Sequence, residues 1–223
     1  MKLKAYLFLG IFILLVLLDL VTRSMHFQEL RQFTKPLILT SLVLYFGITG
    51  KHLPKKVYCF ILLALGFSLL GDILLLYDHL STIYFMLGLM AFLLAHINYA
   101  LVFFEQGKKL IKKELRWVTV LLLAYGTTLF IILQDHLGPL KFPVIIYILG
   151  ILTLALTAYG RKDQVNPSSF KLVFMGALFF IASDSILAIN KFLTAIPWSH
   201  LLVMGTYATA QYLIVKGLLV GND

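Results

Sequence analysis

The chain has 223 residues, 61% of them hydrophobic and only 13% charged, and its mean hydropathy of +0.94 excludes a water-soluble globular domain. The formal net charge of +9 does not point to nucleic acid, because the Lys and Arg residues fall in the gaps between apolar segments and form no basic stripe interleaved with exposed aromatics. One cysteine, Cys59, excludes an intrachain disulfide framework and any CxxC redox or zinc pattern; it lies in an apolar stretch and reads as packing.

Eight apolar segments follow in chain order, at 4–21, 34–50, 57–77, 82–104, 116–134, 142–159, 170–190 and 198–219. Each is near the length that crosses about 30 Å of hydrocarbon. They predict an all-α polytopic bundle of eight transmembrane helices forming a single integral membrane domain over 1–223, with no separate soluble domain. The first segment reads as a retained helix, since its apolar run is long and no small-x-small cleavage site follows it. Thr34 followed by Pro36, then Pro143 and Pro197, mark the starts of the second, sixth and eighth helices. The connections are short, which favours antiparallel neighbours.

Basic residues concentrate in alternate connections: Lys2 and Lys4; Lys51, Lys55 and Lys56; Lys108, Lys109, Lys112, Lys113 and Arg116; Arg161 and Lys162. The opposite side carries Arg23, Arg31, Lys141 and Lys191. The positive-inside rule then places both termini in the cytoplasm and, in a bacterium, the protein in the inner membrane.

Two carboxylates stand out within the spans, Asp72 in GFSLLGDILLL and Asp184 in GALFFIASDSILAI. An ionised side chain is expensive in lipid, so each Asp either faces a protein-lined, water-accessible cavity or is protonated and hydrogen-bonded inside the bundle. The predicted span ends put both roughly 8–9 Å below the outer boundary at a rise of 1.5 Å per residue. Aligning Phe67 with Phe179 also aligns Gly71 with Ser183, Asp72 with Asp184, Leu74 with Ile186 and Leu75 with Leu187, an offset of four helices. That pattern suggests a parallel 4+4 repeat with its site where the halves meet.

Further polar groups accompany them. Ser68 is one turn before Asp72; His96 and Tyr99 continue a stripe from Phe85, Gly88 and Phe92 on the fourth helix, with Asn98 beside them; Tyr207 and Gln211 follow His200 and Met204 on the eighth; Ser183 and Asn190 flank Asp184. These faces are expected to line one pocket, with the fifth and sixth helices as scaffold. Lys35 either pairs with Asp72 or Asp184, binds an anionic headgroup, or snorkels to the interface. Asp19 reads as an i,i+4 partner of Arg23. His96 is open to a plain core role, and no HExxH or HxxxD-type pairing supports a metal site.

The run FTKPLILTSLVLYF with Lys35 and Pro36, then LGFSLLGDILLL, GLMAFLLAHINYALVF, GALFFIASDSILAI and the final TYATAQYLIVKG resemble, in that order, the YhhN family of multi-spanning membrane proteins, which includes the lysoplasmalogenases. The resemblance covers roughly residues 30–217 and implies hydrolysis of the vinyl ether bond of lysoplasmalogens, the 1-alkenyl glycerophosphocholines and glycerophosphoethanolamines. The first helix lies outside it. Vinyl ether cleavage needs a proton donor and a carboxylate, which two acids in different surroundings can supply without a cofactor. Asp184 is assigned as donor and Asp72 as base, with exchange of the two roles left open. Lys35, Ser68, His96, Asn98, Tyr99, Ser183, Asn190, Tyr207 and Gln211 would bind the lysophospholipid and order water.

Two other classes stay open on the sequence. A small proton- or cation-coupled transporter would use Asp72 and Asp184 as ion ligands, although matched broken helices are absent. A non-enzymatic lipid-binding or regulatory membrane protein would tolerate loss of either acid.

Overall fold

The structure, a computed structural model, describes residues 2–25, 27–107 and 113–220. Among these residues the long elements are eight α-helices: α1 (Lys2–Ser24), α2 (Gln28–Thr49), α3 (Lys55–Leu76), α4 (Thr82–Gln106), α5 (Lys113–Leu133), α6 (Lys141–Gly160), α7 (Pro167–Phe192) and α8 (Ser199–Val220). Short 3-10 turns at Gly50–His52, Gln134–His136 and Gly138–Leu140 complete the connections. All eight helices are long and apolar enough to cross a membrane. Lys108, Lys109 and Lys112 of the basic fourth connection lie outside the described residues.

The chain forms two compact units, 1–95 and 96–223, and the division falls between Ala95 and His96 within α4. In the first unit, Ile38, Leu39, Leu42 and Phe46 of α2 meet a core that also holds Ile61, Ala64 and Leu65 of α3. Phe8 of α1 stacks on Tyr45 at 3.8 Å between ring centroids. The helices α3 and α4 approach closely because glycine sits on both: a Cβ at Gly71 would lie 2.7 Å from the Phe92 ring, and one at Gly88 would lie 2.9 Å from Leu75. Such small-residue contacts replace the hydrophobic drive that helices in lipid lack.

In the second unit α7 and α8 make the most extensive pairing, through Val173, Ala177 and Phe180 against Ala210, Ile214 and Gly217. By contrast α1 and α5 leave broad apolar surfaces exposed, including Leu7, Leu14, Trp117 and Leu121, as lipid-facing helices do.

Several boundaries differ from the sequence expectation. The helix α2 begins at Gln28, not 34, so Pro36 lies inside it and marks no start. Within a membrane helix the carbonyl freed by proline can be satisfied locally, so the residue need not end the helix. The helix α7 begins at Pro167, capped by Asn166, whose side chain accepts from the Ser168 amide; the expected start at 170 overlooked this cap. Asp72 lies four residues before the end of α3 and Asp184 eight before the end of α7. Cys59 is exposed on α3 and does not pack in the core, because its position falls on the outward face of a predominantly apolar helix where periodicity is weak.

At Gly176 α7 lies close against the α8 backbone: a Cβ there would lie 2.7 Å from Ile214 and 2.9 Å from the Ala210 carbonyl oxygen, whereas at Gly205 nothing lies within 4 Å. Gly176→Ala is expected to cost about 1–3 kcal/mol of stability through overpacking. Thermal unfolding of detergent-purified protein should show a lowered midpoint for Gly176→Ala and little change for Gly205→Ala.

Candidate active site

In the first unit, α2 delivers Lys35 to α3. Its ammonium lies 3.3 Å from Asp72 Oδ1 and donates to the Asp72 backbone carbonyl at 3.1 Å. Both side chains are almost entirely buried, at 9% and 3% exposure. Of the readings open for Lys35, the structure therefore selects pairing with Asp72 and excludes snorkelling. Ser68, one turn before Asp72, is also buried, and its hydroxyl has no hydrogen-bond partner among the described residues.

Asp19 belongs to a separate polar clasp between α1 and α2. Thr34 donates to its Oδ1 at 3.1 Å, Thr22 and Thr34 share a hydroxyl contact at 3.2 Å, and Arg31 Nε lies 3.9 Å from the same Oδ1. The expected local partner, Arg23, is not among these contacts. Asp19 is 1% exposed and turned toward α2, so a cross-helix partner takes the place of the i,i+4 one.

In the second unit Asp184 is held by α6 and approached by α4. The Tyr147 hydroxyl donates to Asp184 Oδ2 at 2.5 Å, and His96 Nε2 stands 3.9 Å from that oxygen. Asp184 keeps 14% of its side chain exposed, while His96 is fully buried. Edge contacts to Tyr147 at 5.5 Å and to Phe180 at 4.9 Å fix the His96 ring. Neither of its ring nitrogens has a hydrogen-bond partner among the described residues. Buried polar atoms without a partner are rare in folded proteins, which makes His96 beside Asp184 a candidate site residue.

The same unit carries a second polar chain. Tyr99 donates to Gln211 Oε1 at 2.7 Å, the Gln211 amide reaches the Tyr207 hydroxyl at 3.5 Å, and the Tyr207 ring meets Phe180 edge-on at 5.6 Å. Phe180 thus touches both His96 and Tyr207. Other predicted residues serve the frame: Ser183 donates to the Val203 carbonyl at 3.1 Å, and Asn190 accepts from the Ile196 amide at 3.0 Å in the turn between α7 and α8. Asn98 is buried on α4. No group of three His, Cys, Asp or Glu side chains suited to a metal ion occurs among the described residues.

Tyr147 was not singled out by the sequence, and neither was Tyr125, whose hydroxyl shares a 2.6 Å contact with Ser185. Their helices α5 and α6 had been expected to act as scaffold, yet both supply phenols to α7. The available signal was a tyrosine inside a span with no other strongly polar group, FPVIIYILG.

Eight membrane-length helices among the described residues, with a buried or half-buried acid and a polar partner in each unit, define a polytopic membrane protein. The chain belongs to the YhhN family, whose family model matches residues 30–218. Human Lysoplasmalogenase TMEM86B is 32% identical over 157 residues, covering 70% of this chain and 62% of the relative. Human Lysoplasmalogenase TMEM86A is 31% identical over 157 residues, covering 69% and 62%. Lysoplasmalogenase of Mycobacterium tuberculosis is 29% identical over 142 residues, covering 62% and 52%. The chain thus spans less than two thirds of the length of these relatives. No solved structure matches it.

Removing one member of a buried ion pair leaves the other charge uncompensated and costs about 3–5 kcal/mol. Lys35→Met is expected to lower stability on that scale, and Lys35→Met combined with Asp72→Asn to recover part of the loss. Chemical unfolding of the two single variants and the double variant in one detergent measures this coupling.

Proposed function

We propose that the protein is a lysoplasmalogenase-type hydrolase that cleaves the vinyl ether of 1-alkenyl glycerophosphocholine or glycerophosphoethanolamine to a fatty aldehyde and the glycerophospho-base. Family membership and the names of the relatives support the substrate class. The observation that carries the chemistry is the cluster at Asp184, a carboxyl held by a neutral phenol beside a histidine with both nitrogens unspent. Both termini in the cytoplasm, and a parallel 4+4 arrangement of the helices, belong to the same reading.

In this mechanism protonated Asp184 delivers its proton to the β-carbon of the vinyl ether. The π electrons form the new C–H bond and leave an oxocarbenium ion at the ether carbon. Asp72, whose charge Lys35 balances, takes a proton from the water that adds to that carbon. The hemiacetal then collapses: its hydroxyl proton passes to the departing glycerol oxygen, the C–O bond breaks, and aldehyde and alcohol separate. Exchange with solvent returns the proton from Asp72 to Asp184. One vinyl ether and one water are consumed. The division of labour follows the rule that two acids in different settings take different protonation states. Tyr147 orients the Asp184 carboxyl and stabilises it once the proton has left. His96, Tyr99, Tyr207 and Gln211 place water and the glycerol hydroxyl, and the apolar side chains receive the alkenyl chain.

General acid-base catalysis contributes about 10²–10⁴-fold, so Asp72→Asn and Asp184→Asn should each reduce aldehyde release per folded molecule by that order, Asp72→Asn also lowering stability because it strands Lys35. Tyr147→Phe, which removes one hydrogen bond to a charged group, should reduce it about 10–100-fold. Aldehyde release from purified protein is the measurement, with acyl ester and alkyl ether lysolipids as controls that this chemistry leaves intact. Undiminished turnover in either Asn variant defeats the paired-acid mechanism, and substrate-dependent ion flux in liposomes without product would indicate a transporter.

A further inference from the structure

Arg161, the first residue beyond α6, is 1% exposed although it follows a membrane-length helix. Its Nε donates to Gln106 Oε1 at 2.7 Å, Nη2 to Ser169 Oγ at 2.7 Å and Nη1 to the Ser169 carbonyl at 3.4 Å. Phe103 stacks under the guanidinium at 5.5 Å. Ser169 is itself fixed, since its hydroxyl donates to the Gly217 carbonyl at 2.6 Å. Every acceptor in this frame is neutral, and among the described residues no carboxylate lies within ion-pair distance. The frame holds the cation firmly and neutralises none of its charge. Burial draws the guanidinium down to about 10, which leaves it charged at neutral pH.

Such an arrangement is costly if the role is only to tie α4, α6, α7 and α8 together, because a neutral donor would make the same bonds without burying a charge. Three of the five guanidinium N–H groups are used, which leaves one on each terminal nitrogen. Because both terminal nitrogens already donate to Ser169, the two N–H groups that remain point to different sides, and each can donate singly to an oxyanion. Beside Arg161 lies a cavity of about 490 Å³ at the junction of α6 and α7, a size typical of small-molecule sites. Gln164 and Asn166 add amide donors to its lining. Asp163, exposed and at positive φ of 62° in the turn, also lines the cavity.

We propose that this cavity is a binding site for a phosphate-type oxyanion, anchored by the uncompensated buried charge of Arg161 and lined by Gln164 and Asn166. The anion is the phosphate of an anionic lipid headgroup or a soluble phosphate. No residue of the site takes part in the vinyl ether chemistry, so the two proposals stand or fall separately.

The test uses the full chain in two preparations. In detergent, inorganic phosphate is titrated against chloride at equal ionic strength and the thermal midpoint is followed. In nanodiscs of phosphatidylcholine, with or without phosphatidylglycerol, the same midpoint and the lipid retained in native mass spectrometry are compared. Arg161→Gln removes the charge. Gln164→Glu leaves the Arg161 frame intact and places a carboxylate in the cavity, which keeps the test valid if the first variant unfolds. A midpoint raised by phosphate in the unaltered chain and not in Gln164→Glu supports the site with a soluble ligand. A response confined to phosphatidylglycerol, and lost in Gln164→Glu, supports it with a lipid ligand. No response to either probe, or one that Gln164→Glu retains in full, overturns the proposal.

Discussion

Hydrocarbon offers no hydrogen-bond partner and no counter-charge, so a charged group placed in these spans depends on the protein for both. The Lys35 and Asp72 pair is the most demanding instance. Its members sit on different helices, and the ammonium binds the carboxylate and the main-chain carbonyl of the same residue, so α2 and α3 are fixed in rotation as well as in distance. Once α3 is set in this way, the glycines at 71 and 88 allow α4 to close against it. In the second unit the pairing of α7 with α8 performs the equivalent task by shape: Gly176 and Gly217 admit the neighbouring backbone, and Ser183 adds a hydrogen bond.

The two acids are satisfied by different means. Asp72 has a cation, and Asp184 has a phenol with an imidazole nearby. A reaction that needs one group able to give a proton and another able to take one requires unequal surroundings for chemically identical side chains, and the helices that supply those surroundings are not the ones that carry the acids. Tyr147 from α6 and His96 from α4 act on a residue of α7, much as Lys35 from α2 acts on a residue of α3. Each acid therefore depends on a neighbour whose own position comes from ordinary packing, as the edge contacts of His96 with Tyr147 and Phe180 illustrate.

How much could be read from the sequence follows from what periodicity and composition encode. Length and apolarity identify all eight helices, because a membrane span needs nothing else. Asp72, Asp184, Lys35, His96 and the Tyr99, Tyr207 and Gln211 chain stood out because polar atoms are rare in such segments. Partners were much harder to read. Asp19 looked paired with Arg23 because a residue four positions away is the only geometry that a single helix specifies; the Thr34 and Arg31 contacts depend on how two helices dock. Tyr147 and Tyr125 were hidden because neither belongs to a stripe of polar residues as Tyr99 and Tyr207 do, and their hydroxyl partners, Asp184 and Ser185, lie on another helix. Arg161 was read as one more topological charge, and only its burial separates it from the solvated lysines around it.

Pro36 gives one local consequence. Having no amide hydrogen, it leaves the Gln32 carbonyl without the donor that an uninterrupted helix would provide, so the backbone ladder of α2 is one rung short in the turn that presents Lys35. The segment from Gln28 to Lys35 is joined to the rest of its helix by fewer amide bonds than any comparable turn of α3, which contains no proline. Its anchorage must then come from sideways attachments, through Thr34 to α1 and through Lys35 to α3. That part of α2 is a splint tied to its neighbours on both sides.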